Sequence, residues 1–313
     1  MQPGSISPRA KIGVERPADF DSYWRDVVAA ASAVPLDATL TPLPDRSTPD
    51  VDVYELHYTS IDNLRIAGWY CTPRQERVAG PYPGLVISPG YISEPLIPKS
   101  WSRLGYAALA LAPRGKLRSN ARFNPGYPGL LVHNIVDRDT YSYRGFYMDA
   151  YRGLDALLGR PEVNPARIAV YGSSQGGALS IVLAALRSDV VKVAVVGAPY
   201  LCGIRDAARL THSYPYEEIN EYLRAHPDHE QRLEETVAYF DGLNFAPSIS
   251  CPILVHLGTA DDVCPPETGL ALYDRLDAPK RLVVSDGSGH DAGAHWLGDV
   301  VARFLADGLR GER

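Results

Sequence analysis

Two serines stand side by side in the stretch YGSSQGG (171–177), and only the second, Ser174, has glycine two residues away on each side. A serine hydroxyl attacks carbonyl carbon when a neighbouring base takes its proton and a carboxylate holds that base. The G-x-S-x-G spacing suits this chemistry because glycines leave room for a serine on a sharp, strained turn. Composition alone produces such spacing in roughly one chain of this length in ten, so the setting has to decide. RIAVY (167–171) ahead of the turn reads as a short β-branched strand, and QGGALSIVLAALR (175–187) behind it as a helix. That is the strand, turn and helix of a nucleophile elbow. Ser174 is the candidate nucleophile and Ser173 a spacer; the alternative is a tight turn with helix-capping serines.

On such a turn the partners follow in the order acid, then histidine, on loops after late strands. Asp261 and Asp262 come just after the apolar run PILVHLG, and His290 sits in a glycine-rich loop after RLVVSDG. Asp261 is nearer the strand end, with Asp262 as the alternative acid. Of the eight histidines, His290 alone has both the order and the loop setting. His256 lies inside a strand and reads as a core histidine, and His295 as helix surface. His226 and His229, three apart in a polar helical stretch, lack the carboxylate pattern of a metal site. GSGHDA (287–292) matches a dinucleotide fingerprint, but too little chain follows for a second strand, so no cofactor and no metal are expected.

The elements that must position these residues form an α/β pattern. Short apolar strands alternate with helical segments from residue 84 onward: GLVISPG, YAALALAP, RIAVYG, KVAVVGAP, PILVHLG and RLVVSDG. Continuous apolar strands separated by helices require a mostly parallel, doubly wound sheet covered on both faces. Ahead of it, VDVYELHYTS and LRIAGWYCTP around Ile61-Asp62-Asn63 read as an antiparallel hairpin at the sheet edge. PADFDSYWRDVVAAASA carries Phe20, Trp24 and Val27 or Val28 at helical spacing and reads as a helical arm. The parse is one domain over 1–313, with an N-terminal helical arm and connector (1–45) and a helical cap inserted at 203–245. The stretch 115–143, rich in Asn, Gly, Pro and Tyr, reads as a long ordered loop.

Composition sets the partners. With 45% apolar residues in 313 the chain builds a substantial core, and a net charge of -6 without basic clusters excludes a nucleic-acid surface. No run approaches the roughly 18 apolar residues of a membrane helix, and the first twenty residues have no apolar signal region. The four cysteines, Cys71, Cys202, Cys251 and Cys264, show no CxxC spacing and read as buried thiols in a reducing compartment. A cytoplasmic location is expected.

These residues resemble carbohydrate esterase family 7, the acetyl xylan esterase and cephalosporin C deacetylase family of α/β hydrolases. The resemblance runs from PADFDSYW through LRIAGWY, SPGY, LAPRGK, DRDTYSYRGFYMDAYRGLDAL, YGSSQGG, APYL and GTADDVCPP to SGHD. It implies an α/β-hydrolase fold and a serine esterase for short acyl, chiefly acetyl, esters, with Ser174 as nucleophile, Asp261 as acid and His290 as base. It implies oxyanion donors at the backbone N–H groups of Tyr91 and Gln175, and a ring-shaped homo-hexamer. The chain departs from the family at Pro89-Gly90-Tyr91, Arg114-Gly115-Lys116 and His290-Asp291, where the family carries His-Gly-Tyr, Arg-Gly-Gln and His-Glu. Lys116 therefore puts a cation near the acyl pocket, either to bind a substrate carboxylate beside Tyr91 or to pair with an acid such as Asp291. Two other functions fit parts of the pattern: a prolyl-oligopeptidase-like peptidase, from GSSQGG, and a non-catalytic ligand-binding protein on the same fold.

Overall fold

The computed structural model describes residues 11–74 and 78–310. In chain order the helices are α1 (Phe20–Ala33), α2 (Lys99–Arg103), α3 (Ser142–Leu158), α4 (Gln175–Leu186), α5 (Ile204–Leu210), α6 (Glu217–Ala225), α7 (Glu230–Val237), α8 (Gly242–Phe245), α9 (Pro266–Arg275) and α10 (Ala294–Arg310). The strands are β1 (Thr39–Pro42), β2 (Val51–Thr59), β3 (Arg65–Pro73), β4 (Tyr82–Ser88), β5 (Ala107–Ala112), β6 (Val163–Ser173), β7 (Val191–Gly197), β8 (Ile253–Gly258) and β9 (Lys280–Ser285).

They form one sheet in the order β1-β2-β3-β5-β4-β6-β7-β8-β9. Every pairing from β5 to β9 is parallel. The inner strands are apolar throughout because helices cover both faces: all six residues of β5 and of β8 are buried. On one face Leu297, Val301, Leu305 and Leu309, a single stripe along α10, pack against Leu85, Val193, Val195 and Leu254. The other face lies under the larger core that includes α3, α4 and the arm.

The hairpin forms with full register, Val51 opposite Pro73 and Thr59 opposite Arg65. It is not the sheet edge, however, because β1 adds outside β2. Those four residues, TLTP, fall in the stretch read as connector. They are mostly exposed, with only Leu40 packed against the core, and four residues are too short a run to mark a strand, so the pairing partner reveals it. Helix α1 buries Phe20, Tyr23, Trp24, Val27 and Ala31. Trp24 lies against Tyr147, Phe240 and Phe245, and its indole N–H donates to the Tyr239 carbonyl at 2.9 Å.

Helices α5 to α8 interrupt the alternation between β7 and β8, beyond the carboxyl ends of the strands. The buried Asp241 carboxylate staples the two ends of this insertion, accepting from the N–H groups of Gly203, Ile204 and Leu243 at 2.8–2.9 Å. The insertion therefore has a fixed seat above the sheet, where parallel α/β proteins hold their ligands.

Candidate active site

Ser174 lies between the end of β6 and the start of α4 at φ 56° and ψ -123°. An L residue in that region costs about 1–3 kcal/mol, so its surroundings must enforce it. Three main-chain bonds do: Ser174 N–H donates to Gly197 O at 2.9 Å, and Ser174 O accepts from Ala178 at 3.1 Å and Tyr200 at 3.2 Å. The flanking glycines are required by contact. A Cβ on Gly172 would stand 2.3 Å from the Gly176 main chain, and one on Gly176 would stand 2.1 Å from Ser88 O. With neither present, the first turn of α4 lies directly against the end of β4. Gln175, the first residue of α4, carries an N–H that helix geometry leaves without an internal acceptor, and a Cβ on its neighbour Gly176 would stand 3.3 Å from Pro89 O.

The loops after β8 and β9 bring Asp261 and His290 together across 29 residues of chain. His290 Nδ1 lies 2.9 Å from Asp261 Oδ2 and 3.1 Å from Oδ1. Oδ1 also accepts from the N–H groups of Val263 and Cys264, each at 2.9 Å. The acid is enclosed and the imidazole opens outward, their side chains being 1% and 31% exposed. Asp262 is exposed, and its carbonyl accepts from the Thr211 hydroxyl. A carboxylate on Nδ1 keeps the proton there and leaves the Nε2 lone pair free to accept another.

Among the described residues Ser174 and His290 share no hydrogen bond. A catalytic hydrogen bond of this kind commonly tightens only when substrate binds. Burial drives the Cys264 thiol pKa well above its ordinary value, Asp261 adding to the effect and the Ser174 hydroxyl opposing it. Cys264 and His290 are both tied to Asp261, one through its main-chain N–H and the other through its imidazole. Nothing in the sequence marks Cys264 except its place three residues after the acid.

Two further side chains make contacts that the sequence reading did not give, although it placed His256 in the core. His256 is buried on β8, and its Nδ1 donates to Ala292 O at 3.1 Å, holding the loop that carries His290. Its Nε2 has no partner among the described residues, and burial lowers its pKa to keep it neutral. Glu218, on α6, is also buried. Its Oε1 accepts the Tyr91 hydroxyl at 2.8 Å, and its Oε2 accepts the N–H groups of Gly129 at 2.9 Å and Leu131 at 3.1 Å. Desolvation raises its pKa against those three donors. One side chain of the inserted helices thus ties Tyr91 to the 115–143 loop. In EEINEYLRA it looks like any solvated helical acid, which is why no pattern announces it.

Tyr91 also begins a short aromatic run. Tyr127 packs edge-on against it at 5.2 Å, and Tyr214 follows at 6.2 Å. Both outer rings are partly open, 50% and 37% exposed. Lys116, in contrast, is buried beneath the same turn: its Nζ donates to the carbonyls of Gly90, at 2.5 Å, and Tyr91. Asp291 pairs with His295 at 2.9 Å. All four cysteines are free and buried. No group of His, Cys, Asp and Glu among the described residues has the makings of a metal site, and no described helix is long and apolar enough to cross a membrane.

A parallel sheet of this order, with a strained serine between its strand and helix and late loops carrying acid and histidine, is the architecture of the α/β hydrolases. The chain belongs to the acetyl xylan esterase family, whose model matches residues 11–308. A solved acetyl xylan esterase from Paenibacillus sp. R4 superposes with a TM-score of 0.88 at 34% identity, covering 94% of this chain and 96% of that one. Acetyl xylan esterase 1 from Thermoanaerobacterium sp. JW/SL YS485 superposes at 0.87 with 26% identity, covering 95% of each chain. Acetyl esterase Axe7A of Xylanibacter ruminicola is 26% identical over 93% of this chain, which spans 66% of that relative's length.

Proposed function

We propose that this protein hydrolyses short-chain, chiefly acetyl, esters through an acyl-enzyme on Ser174. The observations that carry the reading are the buried Asp261 carboxylate holding the His290 imidazole and the enforced positive-φ geometry of Ser174 at the start of α4. His290 Nε2 takes the hydroxyl proton as Ser174 Oγ attacks the ester carbonyl, and Asp261 stabilises the imidazolium that results. The carbonyl oxygen gains negative charge in the tetrahedral intermediate. The backbone N–H groups of Gln175 and Tyr91 receive it, assisted by the positive end of α4. Collapse expels the alcohol with the proton from His290, and water then releases the acyl group by the same steps reversed.

Acetylated sugars, as for the acetyl xylan esterases, and cephalosporin C-like esters are the substrates proposed. The exposed rings of Tyr127 and Tyr214 support a leaving group with a flat face. The inserted helices act as the cap of a single catalytic domain. The free, buried cysteines support a cytoplasmic setting, and the family resemblance supports a homo-hexamer. The peptidase alternative is the weaker reading, since the acetyl xylan esterase family model matches residues 11–308. Hydrolysis of p-nitrophenyl acetate by wild type and Ser174→Ala tests the reading. Turnover should fall by at least about 1000-fold in the variant, in keeping with loss of a triad member; equal rates would refute it. A binding protein without catalysis would also fail to be labelled by a fluorophosphonate at Ser174.

A further inference from the structure

The side chain of Lys116 lies under the turn that supplies one oxyanion donor. Its Nζ donates to Gly90 O at 2.5 Å and to Tyr91 O. Gly90 O and the Tyr91 N–H are the two ends of one peptide group. Resting on the esterase reading above, we propose that the Lys116 ammonium is a positioning residue for the oxyanion hole: it fixes the Gly90–Tyr91 peptide plane and polarises it so that Tyr91 N–H donates more strongly.

A cation donating to a carbonyl oxygen draws electron density through the amide, and the N–H at the far end becomes a better donor. Hydrogen bonds involving an ionised group are also roughly twice as strong as neutral ones, so the turn is held more firmly than a neutral amide would hold it. Glu218 restrains the same residue through the Tyr91 hydroxyl, so Tyr91 is held at both its main chain and its side chain.

The charged groups around Lys116 leave its charge available to the turn. Arg114, two residues earlier, is committed to Asp149 and Asp62. Glu94, on the segment following Tyr91, acts on the ammonium by charge, and its buried Oε1 has no hydrogen-bond partner among the described residues. Burial pushes the Lys116 pKa down to about 8, with Glu94 opposing the shift. The ammonium is therefore present below about pH 8 and lost as the pH rises through it, carrying the polarisation away.

The experiment measures kcat and KM for p-nitrophenyl acetate from about pH 6.5 to 9.5, spanning the Lys116 titration, in wild type, Lys116→Gln, Lys116→Met and Ser174→Ala, the last giving the background. Thermal melting checks that each variant is folded. In wild type, kcat should decline above about pH 8. In Lys116→Gln, which keeps an amide donor but no charge, kcat at neutral pH should fall about 10-fold with KM within about twofold, and the alkaline decline should vanish. Lys116→Met should lose more, short of the roughly 100- to 1000-fold cost of deleting an oxyanion donor. If Lys116→Gln keeps the wild-type rate or the wild-type alkaline decline, or if wild type shows no decline, the proposal is overturned while the esterase reading stands. Equal rates in wild type and Ser174→Ala would overturn both.

Discussion

Replacing Asp261 by asparagine is the sharpest test of the proposed triad, because the structure dictates how the new amide must sit. Oδ1 is pinned by two N–H donors, Val263 and Cys264, each at 2.9 Å. An amide nitrogen at that position would face both donors, leaving two buried N–H groups unpaired at about 1–3 kcal/mol each. The carbonyl oxygen of the introduced amide therefore takes the Oδ1 site and its NH2 takes the Oδ2 site, 2.9 Å from His290 Nδ1. The imidazole can meet that donor only by accepting at Nδ1, which moves its proton to Nε2. A histidine protonated at Nε2 cannot take the Ser174 proton. The wrong tautomer should lower kcat by about 1000- to 10,000-fold, or roughly 4–5.5 kcal/mol at about 1.36 kcal/mol per decade. KM should change little, since the acid does not touch substrate. Steady-state hydrolysis of p-nitrophenyl acetate measures the loss, with urea unfolding to show that the variant folds and Asp262→Asn as the control. A rate for Asp261→Asn within about tenfold of wild type would sink the assignment, as would an equal loss in Asp262→Asn.

Two further substitutions probe how the site is held. Glu218→Ala removes the acceptor shared by the Tyr91 hydroxyl and the Gly129 and Leu131 N–H groups. It should destabilise the protein by about 2–4 kcal/mol in urea unfolding and cut kcat/KM by about tenfold or more; unchanged values for both would show that the inserted helices do not brace the turn. Trp24→Ala empties a fully enclosed site in the aromatic core and should cost about 3–5 kcal/mol, while kcat per folded molecule stays within about twofold. A loss below about 1 kcal/mol would mean that α1 merely rests on the domain.

The parallel half of the fold was legible because each inner strand is a continuous apolar run, and a strand apolar on both faces has to be covered on both. The elbow was legible for a similar reason: Gly172 and Gly176 are demanded by backbone contacts of 2.3 and 2.1 Å, so the requirement is written directly in residue type. Strand β1 was hidden, since its four residues bury little beyond part of Leu40 and are recognisable as a strand only from β2 beside them. The role of Glu218 was hidden too, and so was that of His256 beyond its place in the core. A surface-like acid and a core-like histidine become positioning groups only when distant segments, the Tyr91 turn and the His290 loop, are folded against them.

By itself, then, the sequence determined the α/β layering, the strained setting of Ser174 and the chain order in which an acid and a histidine follow it. These are local properties, decided by side-chain period and by where a Cβ has room. Tertiary structure alone decided that Asp261 rather than Asp262 meets the imidazole. It also decided that Lys116 points under the Gly90–Tyr91 turn rather than out toward Asp291. The direction of a side chain leaving a loop depends on the donors and acceptors that other elements place around it, and no stretch of chain carries that information alone.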